Sequence, residues 1–156
     1  MYTALMTVIV MWLSANFDLP AYYNHPQLEF LPSEEIEFIY ELHSKNLPKN
    51  STKTASHEVS VLDRHGNIVS IYDSSTRKLL LSDKWKGDTP AEVSILVHEM
   101  VHHLQNASQK TYECPARQEE LAYEAQRQWL KLFKKDLFVE FDLDEFTVKL
   151  LAMCSE

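Results

Sequence analysis

The sequence predicts an α+β fold, with three short strands in a small antiparallel or mixed sheet packed on a long buried helix and further helices. Three observations carry this. Only two glycines occur in 156 residues, which argues against a loop-rich all-β chain. The hydrophobic period changes from helical to alternating in mid-chain and back again. Beyond Gly87, apolar positions 93, 96, 97, 100, 101 and 104 cover more than half of a helix's circumference, so that helix is largely buried.

Taken in order, residues 3–15 read as a helix, followed by a Pro- and Asn-containing connection through Pro32. Ser33 ahead of Glu34 and Glu35 reads as an N-cap with acids in the first turn. Ile36, Ile39, Tyr40 and Leu42 then keep helical spacing to about Lys45, and residues 46–53 read as a loop. Val59 and Val61, then Ile68, Val69 and Ile71, then Leu79-Leu80-Leu81 read as three strands of a meander. Their turns are Arg64-His65-Gly66-Asn67, with Gly66 suited to positive φ, and Asp73-Ser74-Ser75. Asp88 or Thr89 caps the long helix, with Pro90 in its first turn. Another helix runs from near Pro115 to about Lys135, and a last one starts after Asp142 with Glu145 as its capping-box partner.

The length suits one domain over residues 1–156, enough to bury a core. A net charge of −8 gives no reason to expect nucleic acid or an anionic membrane as partner. Residues 4–13 are apolar apart from Thr7, too few to span a bilayer, so no integral membrane segment is expected. No basic residue precedes them, as a secretion signal requires, and the first Lys or Arg is Lys45. The run reads as a core helix, which favours the cytoplasm slightly over export. Cys114 and Cys154 exclude Cys-x-x-Cys chemistry and leave both a disulfide and two thiols open.

The chemistry lies in His98-Glu99-Met100-Val101-His102. Residues i and i+4 share a helix face, so two imidazoles can point at one ion. Zinc takes such nitrogens at about 2.0–2.1 Å and keeps a fourth position for water in catalytic sites. Glu99 is then placed to act as general base on that water. One zinc per chain is expected, with a third protein ligand from elsewhere. The helix after Pro115 offers Glu119, Glu120 and Glu124.

With the string 117–126 the chain resembles the gluzincin metallopeptidases, whose H-E-x-x-H motif is followed by a helix that supplies a ligating Glu. Several of those families place a small residue three positions after that Glu. Glu119 with Ala122 fits this form, while Glu120 would have Tyr123 there, so the resemblance favours Glu119 and keeps Glu120 as the alternative. Residues 94–105 and 119–130 are also similar to a group of small bacterial H-E-x-x-H proteins. The resemblance implies a zincin-like fold and a zinc metallopeptidase acting on a peptide or protein substrate. The chain has no room for the second domain that walls the cleft of larger gluzincins.

Other residues carry weaker expectations. His103, about 100° round the helix from His102, points off the metal to a surface or supporting place. Tyr112 and Tyr123 are phenols for an oxyanion, and Gln126 is a hydrogen-bond partner behind a ligand. Glu124 reads as a solvated side chain. His25, His43, His57 and His65 read as structural or surface residues. Leu79-Leu80-Leu81 reads as a core strand by default, with a sheet edge that aligns an extended peptide as the other possibility.

Overall fold

The computed structural model describes residues 1–46, 61–62 and 67–154 of the chain. Helix α1 (Thr3–Phe17) carries the apolar N-terminal run, with Met6, Ile9, Val10 and Leu13 buried in the core. Burying an aliphatic side chain of this size contributes about 1.5–3 kcal/mol. The run is therefore a core helix. It ends where Asp18 turns left-handed at φ 53°, two residues before Pro20.

Strand β1 (Gln27–Leu31) lies where the sequence predicts only a connection. With β2 (Val61–Leu62), β3 (Ile68–Asp73) and β4 (Lys78–Ser82) it makes a sheet ordered β1-β4-β3-β2. The expected meander is present, since β3 pairs antiparallel with β2 and β4. The sheet nevertheless has four strands, because β1 joins β4 in parallel from Gln27–Lys78 to Leu31–Ser82. No alternation betrays β1: it is a half-exposed edge strand between Pro26 and Pro32, and its register is set by β4. That pairing also makes the Leu79-Leu80-Leu81 strand internal to the sheet, not an edge.

Helix α2 (Ser33–Asn46) covers one sheet face through Ile36, which packs with Ile68, Ile71 and Leu80. Its first bonds run to the Pro32 carbonyl, from Glu35 N–H at 3.0 Å and Ile36 N–H at 3.2 Å. Ser33 is thus the first helical residue and not the cap, and its hydroxyl sits 3.2 Å from Ser82 Oγ. The turn after β3 forms as expected, with Asp73 Oδ1 accepting from Ser75 N–H at 3.0 Å. Most of the expected 46–53 loop, with Val59 and Gly66, lies outside the described residues.

Tyr72, Leu79 and Leu81 on the other face meet helix α3 (Pro90–Ser108), in which residues 94–105 are all buried. Thr89 caps it: its hydroxyl accepts from Glu92 N–H at 3.1 Å, and Glu92 Oε2 accepts from Thr89 N–H at 3.3 Å. Just before it, Gly87 has φ 74°, and a Cβ there would come within 2.7 Å of the Trp85 ring. Only glycine fits that turn. A 3-10 turn (Pro115–Arg117) then leads into α4 (Gln118–Leu132).

Helix α4 stops short of the predicted Lys135 because Lys134 turns left-handed, with Lys135 N–H donating to the Leu130 carbonyl at 3.0 Å. A short helix α5 (Leu137–Glu140), absent from the sequence prediction, is capped by Asp136. The last helix, α6 (Glu145–Leu151), is capped by Asp144 and not by Asp142, which has φ 50°. Three cap-type aspartates in nine residues hide which ones start helices. Cys114 and Cys154 form a disulfide that ties the start of the 3-10 turn to the chain beyond α6. Among the described residues, no helix is long and apolar enough to cross a membrane.

Candidate metal centre

His98 and His102 sit one turn apart on α3, and Glu119 sits in the first turn of α4, which packs alongside. All three are wholly buried, and their donor atoms lie within 4.8 Å of one another. His98 Nε2 is 3.3 Å from His102 Nε2 and 3.1 Å from Glu119 Oε2, while Glu119 Oε1 is 2.9 Å from His102 Nε2. Four tetrahedral ligands at zinc-type bond lengths are about 3.3 Å apart. The three donors fit such a group, and could hold a metal ion.

Hydrogen bonds behind the histidines fix which nitrogen faces that group. Gln126 Nε2 donates to Ser94 Oγ at 3.2 Å, which leaves Gln126 Oε1 to accept from His98 Nδ1–H at 3.0 Å. Gln105 Nε2 donates to the Gln118 carbonyl at 3.2 Å, so Gln105 Oε1 accepts from His102 Nδ1–H at 3.0 Å. With Nδ1 protonated, a neutral imidazole presents its Nε2 lone pair inwards. Gln126 has the supporting place expected of it. Gln105 has the same role and was not anticipated, although a glutamine three residues after a candidate ligand on a buried helix is a usable signal.

Burial alone would raise the Glu119 carboxyl; positive charge on His102 and His98 would hold it at about 2, and with both rings neutral that charge has to come from elsewhere. Glu119 Oε1, despite its closeness to His102, has no aligned hydrogen bond among the described residues. An anionic oxygen buried this way needs a cation. Glu120 is exposed on the next position, so the choice between the two falls to Glu119. Glu124 is a surface residue, accepting from Gln128 at 2.8 Å and 3.6 Å from Arg127.

Glu99 is also wholly buried, on the side of α3 that meets the sheet. Its Oε1 accepts from Ser70 Oγ of β3 at 2.5 Å, and its Oε2 has no partner among the described residues. Burial raises its carboxyl above the ordinary range, against the pull of His98, His102 and the Ser70 bond. Ser70 gave no sequence signal beyond a hydroxyl inside an apolar strand. Tyr123 packs its ring against His98 with centroids 4.6 Å apart, and burial, reinforced by Glu119 and Glu99, keeps its phenol protonated.

His103 does point away from the cluster, but it is buried and not a surface residue. It bonds to Tyr72 Oη at 3.0 Å and to the Asn24 carbonyl at 2.8 Å. Tyr112 is half-buried on the connection before the 3-10 turn, under the Lys110 ammonium at 5.7 Å. His25 bonds to Thr7 Oγ1 at 2.9 Å, His43 falls in α2, and His57 and His65 lie outside the described residues. A cavity of about 380 Å³ opens at the N-terminal end of α3, lined in part by Val69, Trp85, Glu92 and Ile95. None of the four buried site residues lines it.

A family described as a domain of unknown function (DUF6647) matches residues 1–156. No curated protein and no solved structure matches the chain.

Proposed function

The chain belongs to the DUF6647 family, whose description names no activity, so from its own residues we propose a zinc-dependent metallohydrolase of gluzincin-like, zincin-like type, a peptidase acting on peptide or amide bonds. One observation carries this reading: a buried Glu99 stands next to the three converging donors with one carboxylate oxygen unpartnered among the described residues. A carboxylate without a task would not be kept there, because burying it unsatisfied costs several kcal/mol.

His98, His102 and Glu119 are the residues that would hold the ion, one per chain. Two imidazoles and a carboxylate are a zinc-type donor set with a position left for water. Bound there, zinc would supply Lewis acidity to a water and to the carbonyl it attacks. Glu99 Oε2 takes the proton from the attacking water and later hands it to the leaving amine. The Tyr123 phenol, kept protonated, is the donor to the carbonyl oxygen as charge builds on it. The Cys114–Cys154 bond favours an oxidising compartment for this work.

A second reading is a non-catalytic zinc-containing binding or scaffold domain. The complete burial of His98, Glu99, His102 and Glu119 favours it. The two separate in one experiment: zinc-loaded protein and its Glu99→Gln variant are offered a peptide library. The hydrolase reading expects cleavage that falls about 10²–10⁴-fold in the variant while zinc stays bound. No turnover by the wild type moves the scaffold reading ahead, and equal turnover by both proteins removes the general-base role from Glu99.

A further inference from the structure

Ser70 stands in the middle of β3, wholly buried, on the sheet face turned to α3. It pairs across the sheet with Leu81, and its neighbours on the strand are Val69 and Ile71. Nothing in that apolar setting asks for a hydroxyl, and burying one without a bond costs free energy. Its bond to Glu99 Oε1 at 2.5 Å meets the requirement. A hydroxyl facing an ionised carboxylate can only donate, because the carboxylate offers acceptors alone.

The bond makes the two oxygens of Glu99 unequal. Oε1 is anchored to the sheet, and Oε2 is left without a partner among the described residues. A carboxylate on three rotatable side-chain bonds would otherwise be free to swing, and a misplacement of about 1 Å at a reacting group can cost on the order of 10²-fold in rate.

Resting on the hydrolase reading, we propose that Ser70 is a positioning residue for Glu99, holding Oε1 so that Oε2 is the oxygen that accepts the proton. In the step it serves, a water O–H bond breaks, the proton goes to Oε2, and the water oxygen's electron pair attacks the carbonyl carbon.

The test compares zinc-loaded wild type with Ser70→Ala, Ser70→Thr and Glu99→Gln. Zinc stoichiometry and melting temperature establish that each variant is folded and loaded. Ser70→Ala should lower kcat on any cleaved library peptide by about 10–100-fold, with KM within about twofold. Ser70→Thr, which keeps the hydroxyl on a strand-compatible side chain, should recover most of it. A second readout needs no substrate. Acetohydroxamate binds zinc and gives a proton to a neighbouring base, so calorimetry on the loaded proteins reports whether Glu99 is in place. Ser70→Ala should weaken that binding about as much as Glu99→Gln does. Wild-type hydroxamate affinity in Ser70→Ala overturns the proposal, and so does a loaded wild type that binds no hydroxamate. A wild type that binds hydroxamate yet cleaves nothing sinks the hydrolase reading alone, because the hydroxamate arm still decides whether Ser70 sets Glu99.

Discussion

The Nε2 atoms of His98 and His102 lie 3.3 Å apart, each with its Nδ1 committed to a glutamine oxygen behind it. Two lone pairs turned towards one point repel unless a positive charge lies between them. That relationship, more than the H-E-x-x-H string, is why the cluster could hold a metal ion.

The third ligand is the first thing to test. Glu119→Ala should weaken zinc binding, because it removes one of three protein donors and leaves two imidazoles. Glu120→Ala, one residue on and exposed, should bind zinc as the wild type does. Metal analysis after dialysis reads both. Zinc lost from Glu120→Ala and kept by Glu119→Ala would reverse the assignment.

The glutamines should matter without touching the ion. Gln105→Leu and Gln126→Leu each remove the acceptor that orients a histidine, a change that typically costs about 10–100-fold in metal affinity. Gln128→Leu, which removes a bond to the surface Glu124, is the matched control and should leave affinity unchanged. Competition with a chromogenic chelator gives the constants, and equal affinities in all four proteins would show that packing alone orients the rings.

Because the donors come from two helices, the ion should also stabilise the fold. A ligand bound only by the native state adds about 4 kcal/mol when present at a thousand times its Kd. Stripping the metal should therefore lower the melting temperature by several degrees. An unchanged Tm in chelator, with metal loss confirmed, would mean that α3 and α4 are held together by their apolar contacts.

The disulfide should act on stability through the unfolded chain. Closing a loop of 40 residues contributes about 4 kcal/mol in the chain-entropy account. Replacing both cysteines by serine should lower Tm by on the order of 10 °C in a chain of this size. Scanning calorimetry checks it, and identical melting curves would show that the bond does not form in solution.

Legibility of the site in the sequence followed distance along the chain. His98, Glu99 and His102 are set by one helical turn, and Gln126 lies one turn beyond Ala122, so local spacing was enough. Ser70 meets Glu99 only because β3 packs under α3, a contact that no local pattern encodes. The same reason hid β1, whose strand character comes from its pairing with β4. Short apolar runs bounded by turn residues placed β3 and β4, both of which are largely buried. The helix ends near the C-terminus were misplaced because Asp136, Asp142 and Asp144 look alike as caps while one of them sits in a left-handed turn.

The sheet that anchors Glu99 precedes α3 and α4 in the chain, and this orders events during synthesis. As the chain leaves the ribosome, α1 emerges first, then β1 to β4 with α2, and α2 can cover its own face of the sheet. The opposite face, with Ser70, Tyr72, Leu79 and Leu81, lacks the helix that packs on it until α3 arrives, an interval of exposure to aggregation. His98 and His102 emerge before Glu119, so a three-donor site cannot exist until α4 has been made. On the proposed reading, capture of a metal would coincide with the docking of α4 on α3, and a nascent chain cut before Gln118 should hold zinc no better than a pair of histidines on a lone helix.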